Sequence, residues 1–188
     1  MGRPSVREER RREIAGAFGR VLARQGFARA TIAAVAAEAG VAPGLVHHHF
    51  RDKDELLEVL MSGLLARFRA GVRALEAEGA APLDAYGDAA LRLGPGDDVE
   101  AARAWVGLFA EAQRAPALFK RVRRLLDGEL EGLVRRSGGT LGSEDAATLL
   151  AFVIGSLVLG AFAPRKTAGF AAPSFRRLLR ALREESAT

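Results

Sequence analysis

The sequence predicts an all-α protein, and three observations support this prediction. Apolar residues recur at three- and four-residue intervals along nearly the whole chain, which is the spacing of one helix face. Strand signals are nearly absent because β-branched residues are few and Ala and Leu dominate. Short breaks with Gly, Pro or Asp separate the periodic stretches, as in a helical bundle. We expect about nine helices, the later ones packed as an antiparallel bundle.

The first predicted helix ends at Gly26. Its apolar stripe consists of Ile14, Phe18, Val21 and Leu22, and arginines occupy the remaining faces. This pattern indicates a helix with one face in a core. Glycine directly after the last periodic residue is a common C-terminal signal because it accepts a left-handed backbone.

Two short helices are predicted next. The first has Thr31 as its N-cap and stops at Gly40. The second begins at Pro43, which suits a first helical turn, and runs to about His49. Small inward residues such as Ala36 allow the two helices to cross closely. This arrangement is typical of a helix-turn-helix, whose second helix projects into the major groove of DNA.

A long fourth helix is predicted to join two domains, residues 1–52 and residues 53–188. Asp52 is its expected N-cap, Glu55 would complete a capping box, and the apolar period continues to Gly79. The remaining helices are predicted at residues 82–93, 99–114, 116–136, 143–163 and 174–185.

The stretch 146–163 is apolar on every face. It falls just short of a membrane span and charged residues bracket it, so no membrane association is expected. A helix that is apolar all round needs its own core on one side and a partner chain on the other. We therefore predict a homodimer in which this helix and the last one form a four-helix bundle. The interface candidates are Leu149, Phe152, Val153, Ser156, Leu157, Gly160, Phe175, Leu178, Leu179 and Leu182.

The charge is concentrated near the N-terminus. Residues 1–54 carry ten of the 28 Lys and Arg residues and six of the 23 Asp and Glu residues, hence +4 of the net +5 charge. An acidic polymer such as DNA is the natural partner for this segment. A simply solvated arginine-rich end is the alternative.

Several function classes are disfavoured by composition. The chain has no cysteine, which excludes disulfides, thiolate nucleophiles and Cys-ligated zinc. It shows no phosphate loop, nucleophile elbow or paired metal-ligand motif, so we expect neither catalysis nor a cofactor. The arginine-rich first 12 residues lack the apolar segment of a signal peptide, and a cytoplasmic protein is expected.

The three histidines are consecutive, at His47, His48 and His49. Adjacent side chains on a helix diverge by about 100°, so the three cannot converge on one ion, and no metal site is predicted. His49, beside Phe50, is expected to pack inside the N-terminal domain. The other two histidines would then be exposed to DNA.

A dense, in-register set of residues between about positions 10 and 60 resembles the TetR family of bacterial transcriptional regulators. The matching residues are Gln25, Gly26, Phe27, Thr31, the segment 36–41, Gly44, His49, Phe50, Lys53, Leu56 and Leu57. The segment 44–54 is more similar to the branch related to the choline-responsive repressor of betaine synthesis than to the tetracycline repressor. The resemblance implies a ligand-responsive repressor that binds a palindromic operator as a dimer.

The same resemblance implies roles for individual residues. The DNA-contacting residues would be Thr31 and Lys53 at phosphates, and Pro43, Gly44, Leu45, His47 and His48 in the groove. The sequence departs from the family pattern at three positions: Ala42 replaces a usual serine, Leu45 a usual threonine and His47 a common tyrosine. These departures put any transfer of operator sequence in doubt. Ordinary capping by Thr31 and solvation of Lys53 are the structural alternatives.

The C-terminal two-thirds of the chain is larger than dimerisation requires, which favours a sensor for an unidentified small-molecule effector over a constitutive DNA binder. The pocket candidates are Phe68, Tyr86, Trp105, Phe109, Phe119, Arg123, Phe152 and Ser156. Aromatic residues at helical spacing also serve as core, so both interpretations of these residues remain open.

Overall fold

A computed structural model describes residues 5–93 and 97–185, with side chains omitted at positions 97 and 98. Within these ranges the secondary structure is entirely helical, which confirms the predicted all-α class. The helices are α1 (Val6–Gln25), α2 (Ile32–Ala39), α3 (Pro43–His49), α4 (Lys53–Ala77), α5 (Pro82–Ala90), α6 (Asp97–Ala112), α7 (Pro116–Arg136), α8 (Ser143–Phe162) and α9 (Pro164–Glu185).

The largest departure from the predicted helices is at the start of α9. The predicted start of this helix is residue 174, yet α9 begins at Pro164 and continues through Pro173, although a proline inside a helix usually breaks or kinks it. Thr167 and Ala171, on the turns before this proline, are buried, and α9 packs along α8. Tertiary packing therefore keeps this segment helical. Smaller differences occur at α4, α5 and α6, whose ends differ from the predicted ones by two or three residues.

Two hydrophobic cores organise the chain. The first contains the inward faces of α1, α2 and α3 and the beginning of α4, together with Leu108 of α6 and Val122 of α7. The second joins α5, α8 and α9, and includes Leu83, Leu149 and Phe175. The first core thus extends beyond residue 52, so the N-terminal helices rest on part of the C-terminal bundle.

The start of α4 departs from the predicted capping box. The Asp52 carboxylate accepts the N–H of Glu55 at 2.8 Å, as an N-cap should. The Glu55 carboxylate, however, accepts the N–H of Arg51 at 2.9 Å and pairs with Arg11 at 2.7 Å. The arginine of α1 draws this carboxylate away from the reciprocal capping bond.

Candidate DNA interface and internal cavity

The turn between α2 and α3 sets the direction of α3. Gly40 adopts the left-handed conformation, with φ of 66°, which a glycine accepts without strain. The N–H of Val41 then donates to the carbonyl of Ala36 at 2.9 Å, closing the end of α2. Val46 of α3 is completely buried in the first core. One face of α3 is thereby anchored and the opposite face points away from the protein.

The outward face of α3 carries most of the predicted base-contacting residues. Pro43, Gly44, His47 and His48 are exposed, and Leu45 is half-buried. A Cβ added to Gly44 would meet nothing within 4 Å. This part of α3 is therefore free to approach another molecule closely.

The N-termini of α2 and α4 flank this face. The Thr31 hydroxyl accepts the N–H of Ala34 at 3.1 Å, which is ordinary capping. The Lys53 ammonium donates to the carbonyl of Phe27 at 2.9 Å and lies 4.2 Å from the centroid of the Phe27 ring. Lys53 is thus held in place by one N–H of its ammonium. The other two N–H groups can donate to another partner.

Arg11 connects α1, α3 and α4, a role that sequence reasoning missed. Its guanidinium donates to the carbonyl of His49, the last residue of α3, pairs with Glu55, and lies 4.4 Å from the centroid of the Phe50 ring. The arginine stripe on the first helix gave no signal to distinguish Arg11 from its neighbours. One side chain therefore fixes the C-terminal end of the exposed helix.

His49 lies beside Phe50 at the edge of the first core, and its Nδ1 atom is buried without a hydrogen-bond partner. Burial, the neighbouring His48 and nearby arginines hold the pKa of His49 below its usual value. His49 is therefore neutral at pH 7. The described residues contain no group of three or more His, Asp or Glu side chains arranged to hold a metal ion.

A cavity of about 730 Å³ lies in the C-terminal bundle. Helices α4, α5, α6, α7 and α8 all contribute to its wall, which is mainly apolar. The backbones of α4 and α7 do not pack closely, and ion pairs such as Glu58 with Arg121 and Glu76 with Arg136 bridge them. This volume lies within the range of small-molecule sites.

Four of the eight predicted pocket residues, Phe68, Tyr86, Trp105 and Phe109, line this cavity. The other four lie elsewhere, which corrects the prediction. Phe119 and Arg123 are exposed on α7, Phe152 packs against Phe175 in the second core, and Ser156 is buried away from the cavity. Helical periodicity shows which aromatic residues share the apolar face of a helix. It does not show which side of the bundle that face covers.

Glu129 carries the carboxylate in the described part of the cavity wall. It was not among the pocket residues predicted from the sequence. The buried Tyr86 lies near it, and burial together with this carboxylate raises the pKa of Tyr86 far above its usual value. Arg69 lies 3.5 Å from the same carboxylate, and its side chain is 57% exposed. The sequence feature that could have identified this residue is a single glutamate on the apolar stripe of α7, between Leu126 and Leu133.

Helix α6 links the cavity to the N-terminal domain. Its Trp105 and Phe109 rings stack with centroids 5.7 Å apart at the cavity wall. Leu108, one residue before Phe109, is buried in the first core. Gly107 lies close to Leu22 of α1. A Cβ added to this glycine would be only 3.1 Å from the leucine side chain. Helix α6 therefore contacts both the cavity and α1.

Most of the predicted interface residues are covered by the chain itself. Leu149, Val153, Ser156 and Gly160 of α8, and Phe175 and Leu179 of α9, are buried within the chain. Leu157 lines the cavity, and Phe152, Leu178 and Leu182 are half-buried against the second core. A uniformly apolar helix contains no polar face to mark its outside, so the sequence could not show which side the chain itself covers.

The exposed side of α8 is also apolar. It presents Ala151, Gly155, Val158, Leu159 and Phe162, of which Leu159 is 52% and Phe162 80% exposed. By length and composition α8 could cross a membrane, but the core helix of a soluble protein passes the same test. We refer to these five residues as the α8 outer face.

Comparison with known proteins identifies the family. The model for "Bacterial regulatory proteins, tetR family" matches residues 18–60, which cover the end of α1, all of α2 and α3, and the start of α4. The HTH-type transcriptional regulator BetI of Escherichia coli (strain UTI89 / UPEC) is 32% identical over 174 residues, 86% of each chain. The chain belongs to the TetR family. BetI of Rhizobium meliloti is 33% identical over 129 residues, which span 67% of this chain and 61% of that protein.

Solved TetR-family structures share the fold. A TetR-family regulator from Rhodococcus sp. superposes with a TM-score of 0.75 at 22% identity, over 93% of this chain and 99% of the other. A transcriptional regulator from Saccharomonospora viridis, solved in complex with choline, gives a TM-score of 0.71 at 22% identity, over 92% and 96% of the chains. Together with the sequence matches, they confirm the predicted class, an HTH-type transcriptional regulator.

Proposed function

We propose that this TetR-family regulator is a cytoplasmic, ligand-controlled repressor that binds a near-palindromic operator as a homodimer. The observation that carries the proposal is that α6 contacts both the cavity and the N-terminal domain. One side of this helix bears Trp105 and Phe109 at the cavity wall, and another bears Gly107 and Leu108 against the core of the N-terminal domain.

The DNA contacts in this proposal are those of the exposed face of α3 and its flanks. Pro43, Gly44, His47 and His48 would face base edges, with the half-buried Leu45 at their side. Thr31 and Lys53, at the N-termini of α2 and α4, would contact phosphates together with the free backbone N–H groups there. Residues 1–52 serve as the DNA-binding domain and residues 53–188 as the ligand-binding and dimerisation domain.

A second copy of this chain is the proposed occupant of the α8 outer face. Exposed Leu159 and Phe162 are disfavoured in water. Glu144 lies at the start of α8 and Lys166 just beyond its end, so an antiparallel pair of α8 helices brings opposite charges together. The exposed Gly155, near the middle of α8, permits close approach at the two-fold axis.

Regulation follows from dimer geometry. Two rigidly spaced α3 helices bind one operator more tightly than a single helix does. An effector that prefers one position of α6 by a few kcal/mol would shift the spacing of the two DNA-binding domains and hence the operator affinity.

Two other functions are less well supported. An enzyme would need a catalytic group in the cavity, where the described wall offers one glutamate, one tyrosine and two exposed arginines in a mainly apolar surface. A constitutive DNA binder would have no use for a cavity of about 730 Å³. Mass spectrometry of a small molecule that co-purifies with the protein would distinguish a sensor from a constitutive binder.

The experiment that tests the proposal is footprinting of the DNA upstream of the protein's own gene, followed by affinity measurement with the protected fragment. A protected near-palindrome, bound far more tightly than random DNA at physiological salt, is the expected result. Equal affinity for operator and random DNA would overturn the proposal.

A further inference from the structure

We infer that the cavity binds a bulky, apolar organic cation whose charge is neutralised by Glu129. This inference rests on the proposed function in one respect: it names the chemical class of the effector. The binding itself can be measured without DNA.

The charge of the cavity wall favours a cation. The charged residues of the described wall are Glu129, Arg67 and Arg92. Both arginines are exposed, where water screens their charge. The Glu129 side chain is only 14% exposed, so its carboxylate is the charge presented to the interior. A desolvated carboxylate is stabilised by a cation more than by any neutral partner.

The existing partners of Glu129 leave its charge incompletely balanced. Tyr86 lies near Glu129 but stays neutral, since burial and Glu129 raise its pKa. Arg69 is 3.5 Å away and mostly exposed, and such pairs contribute little. Arg136, the other cation near Tyr86, is paired with Glu76. A ligand cation on the cavity side would complete the balance.

The aromatic rings of the wall favour an organic cation. Phe68 and Tyr86 meet edge to face, with centroids 5.1 Å apart at 88°, and Trp105 stacks on Phe109. Aromatic ring faces attract cations, most strongly weakly hydrated ones such as quaternary ammonium groups. A carboxylate beside such rings therefore favours an organic onium ion over a hydrated metal ion.

The size of the cavity favours a bulky cation. A volume of about 730 Å³ is that of a site for a drug-sized ligand. Apart from the polar groups named above, the wall consists of residues such as Leu64, Ala70, Leu126 and Ile154. A cation with a large apolar body would cover this surface, whereas choline would leave most of it against water. Because affinity grows with the apolar area buried, we expect the larger cation to bind more tightly.

The test uses two probes of the same shape and opposite charge, tetraphenylphosphonium and tetraphenylborate. Trp105 is the chain's single tryptophan and lines the cavity, so its fluorescence reports occupancy. We expect tetraphenylphosphonium to bind at least about tenfold more tightly than choline and tetraphenylborate. Tetraphenylborate should also fail to displace the phosphonium from the cavity. Equal or tighter cavity binding of the borate or of choline would overturn the inference.

A matched pair of variants isolates the carboxylate. Glu129→Gln keeps the size of the side chain and should weaken tetraphenylphosphonium binding by about tenfold or more. Glu131→Gln, on the same helix with a side chain 73% exposed, should leave it unchanged. Thermal unfolding establishes that both variants are folded. If the folded Glu129→Gln protein binds the phosphonium as well as the parent does, Glu129 does not select the charge and the inference fails.

The two proposals fail in different ways. If the phosphonium binds through Glu129 but operator affinity stays constant, the cavity is a cation site and the proposed regulation is wrong. If operator affinity responds only to neutral or anionic molecules, the regulation stands and the cation inference is wrong.

Discussion

Gly107 of α6 and Leu22 of α1 are in such close contact that a Cβ on the glycine would lie 3.1 Å from the leucine Cγ. Leu22 is 2% exposed and packed in the first core, so it has little room to move. This contact joins the cavity-lining helix to the first helix of the DNA-binding domain.

We predict that Gly107→Val separates α6 from α1. Overpacking of this kind costs about 1–3 kcal/mol of unfolding free energy, and the effect of cavity ligands on operator affinity should shrink. Chemical denaturation and operator titrations with and without tetraphenylphosphonium measure both effects. Gly128→Val is the control, since a Cβ there meets nothing within 4 Å. An unchanged ligand response in Gly107→Val would show that α6 does not transmit the signal through this contact.

Lys53→Ala should weaken binding to operator and random DNA alike, because a lysine at a helix N-terminus meets phosphates rather than bases. The slope of log affinity against log salt should flatten by about one unit per site. The variant also loses the bond to the Phe27 carbonyl, so its stability must be measured separately. Lys53→Arg keeps the charge and should retain the slope. Loss of affinity for the operator alone would mean that Lys53 reads bases.

His48→Ala should mainly relax discrimination at one base pair of each half-site, since this exposed side chain lies on the outward face of α3. Competition binding with operators mutated at single positions measures the change. Random-DNA affinity and its salt dependence should stay close to those of the parent protein. A uniform loss across all sequences would indicate that α3 docks in a different orientation.

Glu55 predicts a specific acid sensitivity. Hydrogen bonds from the Arg51 backbone and from Arg11 lower its pKa from 4.5 to about 2. A lowered pKa contributes stability above the unfolded-state value of 4.5, and this contribution is lost as the pH falls towards about 2. Glu55→Gln should therefore be less stable at pH 7 and show a shallower decline in stability across that window. Denaturation between pH 7 and 2 measures this, with the exposed Glu131→Gln as control. Parallel curves for parent and Glu55→Gln would contradict the prediction.

Leu159→Glu should convert the dimer into folded monomers and reduce operator affinity, because a charge on the α8 outer face opposes its burial. Sedimentation velocity and operator titration test this. Phe119→Glu is the matched control, since Phe119 is 45% exposed on a different helix, α7. Substitution of Leu179, an interface candidate from the sequence, would instead damage the protomer core, where it is 1% exposed. A Leu159→Glu protein that remains a dimer would place the interface elsewhere.

Local signals were sufficient for much of the fold. Gly26, Gly40 and Pro43 each require or favour one backbone conformation, so the ends of the first three helices could be read from single residues. The all-α class, the exposure of His47 and His48, and the family resemblance followed from the same short-range patterns. These features depend on neighbours within about one helical turn.

Tertiary structure alone decided the roles of Glu129, Arg11 and α8. Glu129 lies near Tyr86, which is far away in sequence, and Arg11 of α1 contacts His49 of α3 and Glu55 of α4. The apolar sequence of α8 matches burial on any side, and only packing against α9 and α6 shows which face stays exposed. A periodic sequence specifies that a helix has a buried face, whereas the partner of that face depends on residues brought together by folding. For this reason the sequence determined the helices and the DNA-binding motif, and the tertiary structure decided the cavity and the outer face of α8.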